Sequence, residues 1–318
     1  MTAEPAADPG RSPRGGRRPG GRARPGASAP RTRWRRPWLY LAPAIVVYGA
    51  FLLYPLVRSA QFSLFSWDGL GTSTFVGLAN YADLVSDPGL RAAFGHALVL
   101  IAFFALLPLA IGLAVAAVLN RARVRGLGLF RTVVFVPQVL AMVVVAVAWR
   151  AIYAPDGPLN AALTAVGLES LTRAWLGDYT WTLPAVGLVG TWVQTGLVTV
   201  LMLAGMSRVP KEQYEAVRLD GAGAVREFFA LTLPSIRGEI AVALTLTVVA
   251  ALKTFDLVYV TTAGGPGNST TVPAYEVFQR AFRTGQVGSA AAVAITLTLL
   301  IFAINLVINR IVEPRESR

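Results

Sequence analysis

Long uncharged runs alternate with short charged ones along most of this chain. Six stretches are free or nearly free of charge: 38–57, 97–119, 132–153, one within 179–207, 240–263 and one within 289–309. A helix needs about 20 residues to cross about 30 Å of hydrocarbon, so each run is long enough to span a membrane. Pro108, Pro137 and Pro184 fall inside these runs. They do not exclude helices, because neighbouring groups in a membrane bundle satisfy the freed carbonyls. The pattern predicts an all-α, polytopic membrane protein with six transmembrane helices. It also sets the organisation: a tail over 1–36, a transmembrane domain over 37–312 with a cytoplasmic loop at 208–236, and a short end at 313–318.

Composition supports this division. Of 318 residues 54% are hydrophobic and 14% charged, with mean hydropathy +0.55, against about 25% charged in soluble domains. The net charge of +12 invites a nucleic-acid reading, but ten Arg and two acids precede residue 37, so the tail alone carries +8. Rich in Arg, Pro, Gly, Ala and Ser, the tail is expected to be disordered, to fix topology and to touch anionic lipid headgroups. A secretory signal is the competing reading. The run at 39–57 is long for one, and no small-residue cleavage site follows it. With the tail inside, 22 of the 29 Lys and Arg fall in cytoplasmic segments, and without it 12 against 7 still do. Both termini are therefore expected in the cytoplasm. Trp67, Tyr81, Trp175, Tyr179 and Trp181 suit an outer aromatic belt.

Absent residues exclude several chemistries. There is no Cys, and one His, His96, which reads as structural; a metal site or thiol nucleophile is not expected. The only lysines, Lys211 and Lys253, lack a glycine-rich phosphate loop. No catalytic residue and no cofactor is assigned to the chain, and any ATP would be bound by another subunit.

The cytoplasmic loop is the most charged segment after the tail. Pro210 suits a first helical turn, Tyr214 and Val217 recur at helical spacing, and Asp220-Gly221 reads as a stop. A second helix is predicted from about Ala224 to Leu233, ended by Pro234. Either a helix–turn–helix knob or an amphipathic pair lying on the bilayer fits this pattern.

Here the sequence resembles a family. Tyr214-Glu215-Ala216, Asp220-Gly221-Ala222, Phe228 and Thr232-Leu233-Pro234 look like the "EAA" loop of permease subunits in binding-protein-dependent ABC importers. Phe255-Asp256-Leu257-Val258-Tyr259-Val260 with Gly264-Gly265-Pro266, Phe75-Val76-Gly77-Leu78 with Asn80-Tyr81, and Pro155 with Gly157-Pro158-Leu159-Asn160 are similar to the sugar branch. Their order resembles the first permease of maltose- and glycerol-3-phosphate-type systems, over about 38–312. Val217 and Leu231 depart from the usual Ala and Ile while keeping the apolar face. The extra spans and large external domain of some maltose permeases are missing.

The resemblance implies a multi-pass protein of the bacterial cell (inner) membrane and half of a sugar path. Its implied partners are a second permease subunit in a heterodimer, two ATPase subunits that hold ATP and Mg, and an extracytoplasmic solute-binding protein, with no nucleic acid. It also implies that Glu215 contacts the ATPase, that Ala216 and Ala222 permit close packing, and that Gly221 permits the turn.

The path has candidates of its own. Lys253 and Asp256 interrupt the fifth run at i and i+3, on one helix face, where they either line a cavity or pair structurally. Thr247 and Thr254 adjoin that face, and the family's sugar contacts come from this region and from near Gln194. Trp192 is available for stacking. Glycerol 3-phosphate or a related polyol is the alternative cargo, with Lys253 as its fixed charge. A secondary transporter would need charge relays and repeats, and a membrane enzyme a cluster of His, Asp or Glu; neither accounts for the loop.

Overall fold

The computed structural model describes residues 36–121 and 126–312. The expected disorder before Arg36, the charged stretch at 122–125 and the end at 313–318 lie outside the described residues. The chain divides into two units, Met1–Phe51 and Leu52–Arg318. The first holds α1 (Arg36–Tyr48), whose apolar residues from Tyr40 onward are all solvent-facing in the single chain. A π-turn, Gly49–Leu53, leads into α2 (Tyr54–Phe62) of the second unit.

The second unit continues with a two-stranded hairpin, β1 (Phe65–Ser66) against β2 (Thr74–Phe75), paired antiparallel with Phe65 opposite Phe75. Then come α3 (Ala79–Ser86), α4 (Pro88–Ile101), α5 (Leu107–Arg121), α6 (Leu127–Val139), α7 (Met142–Ile152) and α8 (Pro158–Ala165). The long α9 (Thr182–Met206) precedes α10 (Lys211–Leu219), α11 (Ala224–Glu227), α12 (Leu233–Ser235) and α13 (Arg237–Leu252). The chain closes with α14 (Asp256–Thr261), α15 (Pro273–Phe278) and α16 (Val287–Val312).

The all-α, membrane-spanning expectation holds, with corrections to three spans. Four helices cross unbroken by length and hydropathy: Tyr40–Phe62, Pro88–Asn120, Thr182–Met206 and Val287–Ile311. The second is 33 residues long, not 23, because Asp87 caps it early, accepting from the Gly89 and Leu90 amides with Pro88 in the first turn. His96 therefore lies within this helix. The third span is not one helix: Gly128–Val139 and Met142–Ile152 meet at 95°, with Leu140 and Ala141 extended between them. The fifth is also broken. Its helix α13 has 16 residues, about 24 Å, and the chain kinks through Lys253–Phe255 before α14 resumes.

Proline explains where the helices widen. Three of the four π-turns among the described residues, Gly49–Leu53, Ala102–Leu106 and Phe228–Thr232, end two positions before Pro55, Pro108 and Pro234. A proline has no N–H, and its ring crowds the carbonyl four residues back, so a wider turn accommodates it without breaking the helix. Pro234 thus does not end the second loop helix, which runs to Ser235 and bends by 71° into α13.

The core is built around α9. Two thirds of its apolar window is buried, against at most 28% for the other unbroken spans. Val186, Val189 and Val193 pack with Phe104, Val145, Ala251 and Leu257, and Val198, Met202 and Met206 with Ala116 and Ile236. Gly196 permits a close backbone crossing: a Cβ there would run into the Val134 carbonyl oxygen of α6. Gly196→Ala is expected to cost about 1–3 kcal/mol through overpacking, read as a lowered Tm of the purified protein in detergent.

Candidate functional site

The loop between α9 and α13 folds as a helix–turn–helix. Pro210 caps α10, Asp220 ends it, and Gly221 takes φ +79°, a left-handed value that glycine adopts without a steric penalty. The Gly221 amide donates to the Arg218 carbonyl and the Ala222 amide to that of Val217. Across the turn, Arg218 Nε donates to Glu227 Oε2 at 2.7 Å, and the Tyr214 and Thr232 hydroxyls lie 3.3 Å apart. The bond to Glu227 raises the Arg218 pKa further above its ordinary value. Glu215, Ala216, Asp220 and Gly221 are exposed at the tip beside Leu219, which is 89% exposed. Ala222 and Leu233 are half-buried, and Pro234 is exposed. A cavity of about 240 Å³ lies beneath, lined by Ala117, Met206, Tyr214, Phe228 and Thr232 among others.

The second candidate region is the kink in the fifth span. Lys253 caps α13 with φ −90° and ψ 1°, and its amide reaches the Val249 carbonyl. Because the helix ends there, Lys253 and Asp256 do not share one helix face, and they form no ion pair among the described residues; both are exposed. Thr247 and Thr254 are buried, and the Thr247 hydroxyl is used by its own helix, donating to the Ala243 carbonyl. Gln194 is 4% exposed with Oε1 unpartnered. Its neighbour Val193 shares a core cluster with Ala251, Leu257 and Val258, which sets the Gln194 stretch of α9 against the kink. Trp192 is on the open side of α9, edge-on to Trp149 at 5.7 Å.

Sequence reasoning missed the aromatic group beside this kink. Phe255 stacks on Tyr259 at 5.3 Å and 20°, Phe278 lies within 5.4 Å of both, and Phe282 continues the series at 5.6 Å. Tyr259 is 39% exposed, three residues after exposed Asp256 in α14, and Phe282 is 78% exposed. The signal was present as aromatic spacing in 255–259 and 275–282, but only folding brings the two stretches together.

The other motif residues hold loops at the opposite end of the spans in place. Asn80 Nδ2 donates to the Ser63 and Phe65 carbonyls. Asn160 Nδ2 donates to the Pro155 and Arg173 carbonyls, while its Oδ1 accepts from Trp175 Nε1 at 2.9 Å. Thr270 and Thr271 hydroxyls close the loop over Gly264 and Gly265, and His96 Nδ1 lies 2.9 Å from the Thr271 carbonyl, a structural contact. Arg280, invisible as a site in sequence, bonds Asp87, Glu276 and Ser289. Burial pushes the Asp87 carboxyl up, but the Gly89 amide, Arg280 and the Leu90 amide more than offset this and hold it below the ordinary value. Among the described residues no three His, Cys, Asp or Glu are placed to hold a metal.

Against known proteins, residues 107–318 match the family described as the binding-protein-dependent transport system inner membrane component. The probable ABC transporter permease protein YurN of Bacillus subtilis is 36% identical over 273 residues, 85% of this chain and 93% of that one. The diacetylchitobiose uptake system permease protein NgcF of Streptomyces coelicolor is 34% identical over 293 residues, 87% and 83% of the two chains. In fold, the chain is similar to one in the crystal structure of a bacterial ABC transporter involved in the import of alginate. The TM-score is 0.75 at 22% identity, covering 89% of this chain and 97% of that one.

Two outcomes follow from the outer contacts. Asn160→Leu leaves two carbonyls and the Trp175 N–H without their partner, and is expected to cost about 1–3 kcal/mol, read from thermal unfolding followed by Trp fluorescence. A depressed carboxyl pKa contributes stability that is full above the unfolded value and lost as pH falls through the folded one. The Tm difference between wild type and Asp87→Asn should therefore stay constant from about pH 8 to 5 and shrink only below the ordinary Asp value of 3.8.

Proposed function

We propose, on the premise that this chain belongs to the family of inner-membrane components of binding-protein-dependent transport systems, that it forms one half of the membrane path of an ATP-driven sugar importer. Membership supports a non-enzymatic, multi-pass membrane subunit. The sugar reading draws on a relative named for diacetylchitobiose uptake and on the alginate importer of like fold. In this reading the chain pairs with a second permease subunit and rests on two ATPase subunits that hold ATP and Mg. It receives cargo from an extracytoplasmic binding protein. Both termini and the helix–turn–helix face the cytoplasm, the side that the Lys and Arg bias selects, and the basic segment before Arg36 meets lipid headgroups.

The observation that carries the path assignment is the kink at 253–256. Ionisable side chains at membrane depth avoid lipid and face a cavity or each other. Lys253 and Asp256 are exposed and unpaired with each other, so the face they mark is assigned to the aqueous path. Tyr259 and Phe255 beside them offer flat apolar faces, and Asp256 and Lys253 offer polar groups, the mixture that a polyhydroxylated ring requires. Gln194 supplies a buried acceptor close to this stretch, and Thr247, Thr254 and Trp192 complete the candidate lining. For a phosphorylated polyol, Lys253 is favourable and Asp256 is not, which favours the neutral sugar.

Coupling is assigned to the exposed tip of the helix pair. Glu215 would contact the ATPase, with Ala216 and Ala222 allowing close approach, Tyr214, Asp220, Leu233 and Pro234 shaping the pair, and Gly221 making the turn. ATPase closure would then rock the spans between outward- and inward-facing states.

Reconstitution of the permease pair with its ATPase and binding protein in vesicles tests this reading. Uptake of a labelled disaccharide should require ATP hydrolysis; uptake that survives without it would instead indicate a secondary transporter. Gly221→Pro should insert normally and transport nothing. Tyr259→Ala should raise the apparent Km by about two- to tenfold, the worth of a lost stacking contact.

A further inference from the structure

The first loop helix is poorly anchored. No residue of α10 is buried, and only Tyr214 and Val217 are half-buried. The turn after it contains Gly221 and Gly223, and neither packs against anything: a Cβ built on either would meet no atom within 4 Å. Little beyond side-chain contacts therefore fixes the angle of this helix to the next. Two side-chain contacts cross from α10 to the following helix. The Tyr214 hydroxyl lies at 3.3 Å from that of Thr232, and the Arg218 guanidinium grips Glu227 with Nε at 2.7 Å from Oε2 and a terminal nitrogen at 3.5 Å from Oε1. The Glu227 side chain is 3% exposed, while that of Arg218 is 56% exposed.

We propose that the Arg218–Glu227 ion pair locks the helix–turn–helix into one rigid body, so that displacement of α10 reaches α13 and does not dissipate at Gly221. The inference rests on the coupling reading above. Glu215 stands one turn before Arg218, so a partner pressing on Glu215 acts close to the lock. From Glu227 the helix runs through the π-turn to Ser235, and α13 starts at Arg237. The lock therefore joins the contact surface to the helix that ends at the kink at 253–256. An exposed ion pair contributes little. A forked one with a buried carboxylate differs, because removing the cation leaves the carboxylate desolvated without this partner. Arg218 and Glu227 act on position and do not touch the cargo.

This chain has no cysteine, so with partner subunits freed of theirs, spin labels can be placed without background. Labels at Gln213→Cys and Ala230→Cys, both exposed positions, report the angle across the turn in the complete transporter. Arg218→Met and Glu227→Gln should broaden the distance distribution and raise the ATP consumed per sugar by about threefold or more, with the ATPase subunits still co-purifying. Arg218→Lys, which keeps the charge, should recover most of the wild-type ratio. If Glu227→Gln does not accumulate, Arg218→Met, altering a side chain that is more than half exposed, decides alone. Unchanged width and ratio in Arg218→Met overturns the lock and leaves the coupling reading intact. Failure of the wild-type subunit to bind the ATPase overturns both.

Discussion

In hydrocarbon a peptide group has no water to turn to, so each backbone N–H and C=O must find its partner within the protein. The rest of this structure depends on that constraint. It makes the spans helical, and it makes each proline inside them a local problem. Pro55, Pro108 and Pro234 are handled by widening the preceding turn to a π-turn, so three helical stretches remain continuous. The two breaks, at Leu140–Ala141 and at Lys253–Phe255, stop the ladder outright. Irregular backbone at membrane depth is tolerated where it is buried in protein or lines a water-filled cavity. The second break has the marks of such a place: buried Thr254 on one side, exposed Lys253 and Asp256 on the other.

Around that constraint the chain is organised by α9, the one unbroken span buried on most of its surface. Gly196 lets the α6 backbone approach, and Gly187 and Gly190 make room for the Phe103 and Phe104 rings, as is common where small residues line helix contacts in membranes. The outer spans keep broad apolar faces open, among them Val139, Val143 and Val147 on α6 and α7, and Phe302 and Leu306 on α16. A single copy does not cover these faces, which suits a membrane-embedded subunit. The polar work is concentrated at the two ends: a network of Asn80, Asn160, Arg280 and their partners in the loops at one, and the helix pair tied by Arg218 and Glu227 at the other.

The motifs that carried the family resemblance divide between these ends. Asn80 and Asn160 fix loop shape through backbone carbonyls, and the Gly264-Gly265-Pro266 loop is closed by threonine hydroxyls. Their contribution is to set the outer rim in one form. The stretch at 214–222 differs, in that its named residues are mostly exposed, as the proposed coupling role requires. Asn80 and Asn160 are buried where they hold loops together, whereas Glu215, Ala216, Asp220 and Gly221 are open.

The sequence by itself determined the membrane class, the six apolar runs, the start of α10 at Pro210 and its stop at Asp220-Gly221. These are local properties: twenty consecutive apolar residues or one glycine after a polar helix carry their meaning within a few turns of chain. Tertiary structure alone decided where runs break, which faces meet and which polar groups pair. The third and fifth runs are uncharged enough to read as single helices, yet one bends by 95° and the other ends at Leu252. Lys253 and Asp256, which would pair on a continuous helix, separate because the helix stops between them. Asp87 and Arg280 are 193 residues apart, and the four aromatic rings near the kink come from two segments. Hydropathy averages over a window and carries no information on direction, whereas pairing depends on which side of each helix meets its neighbour, and that is fixed only when the helices pack.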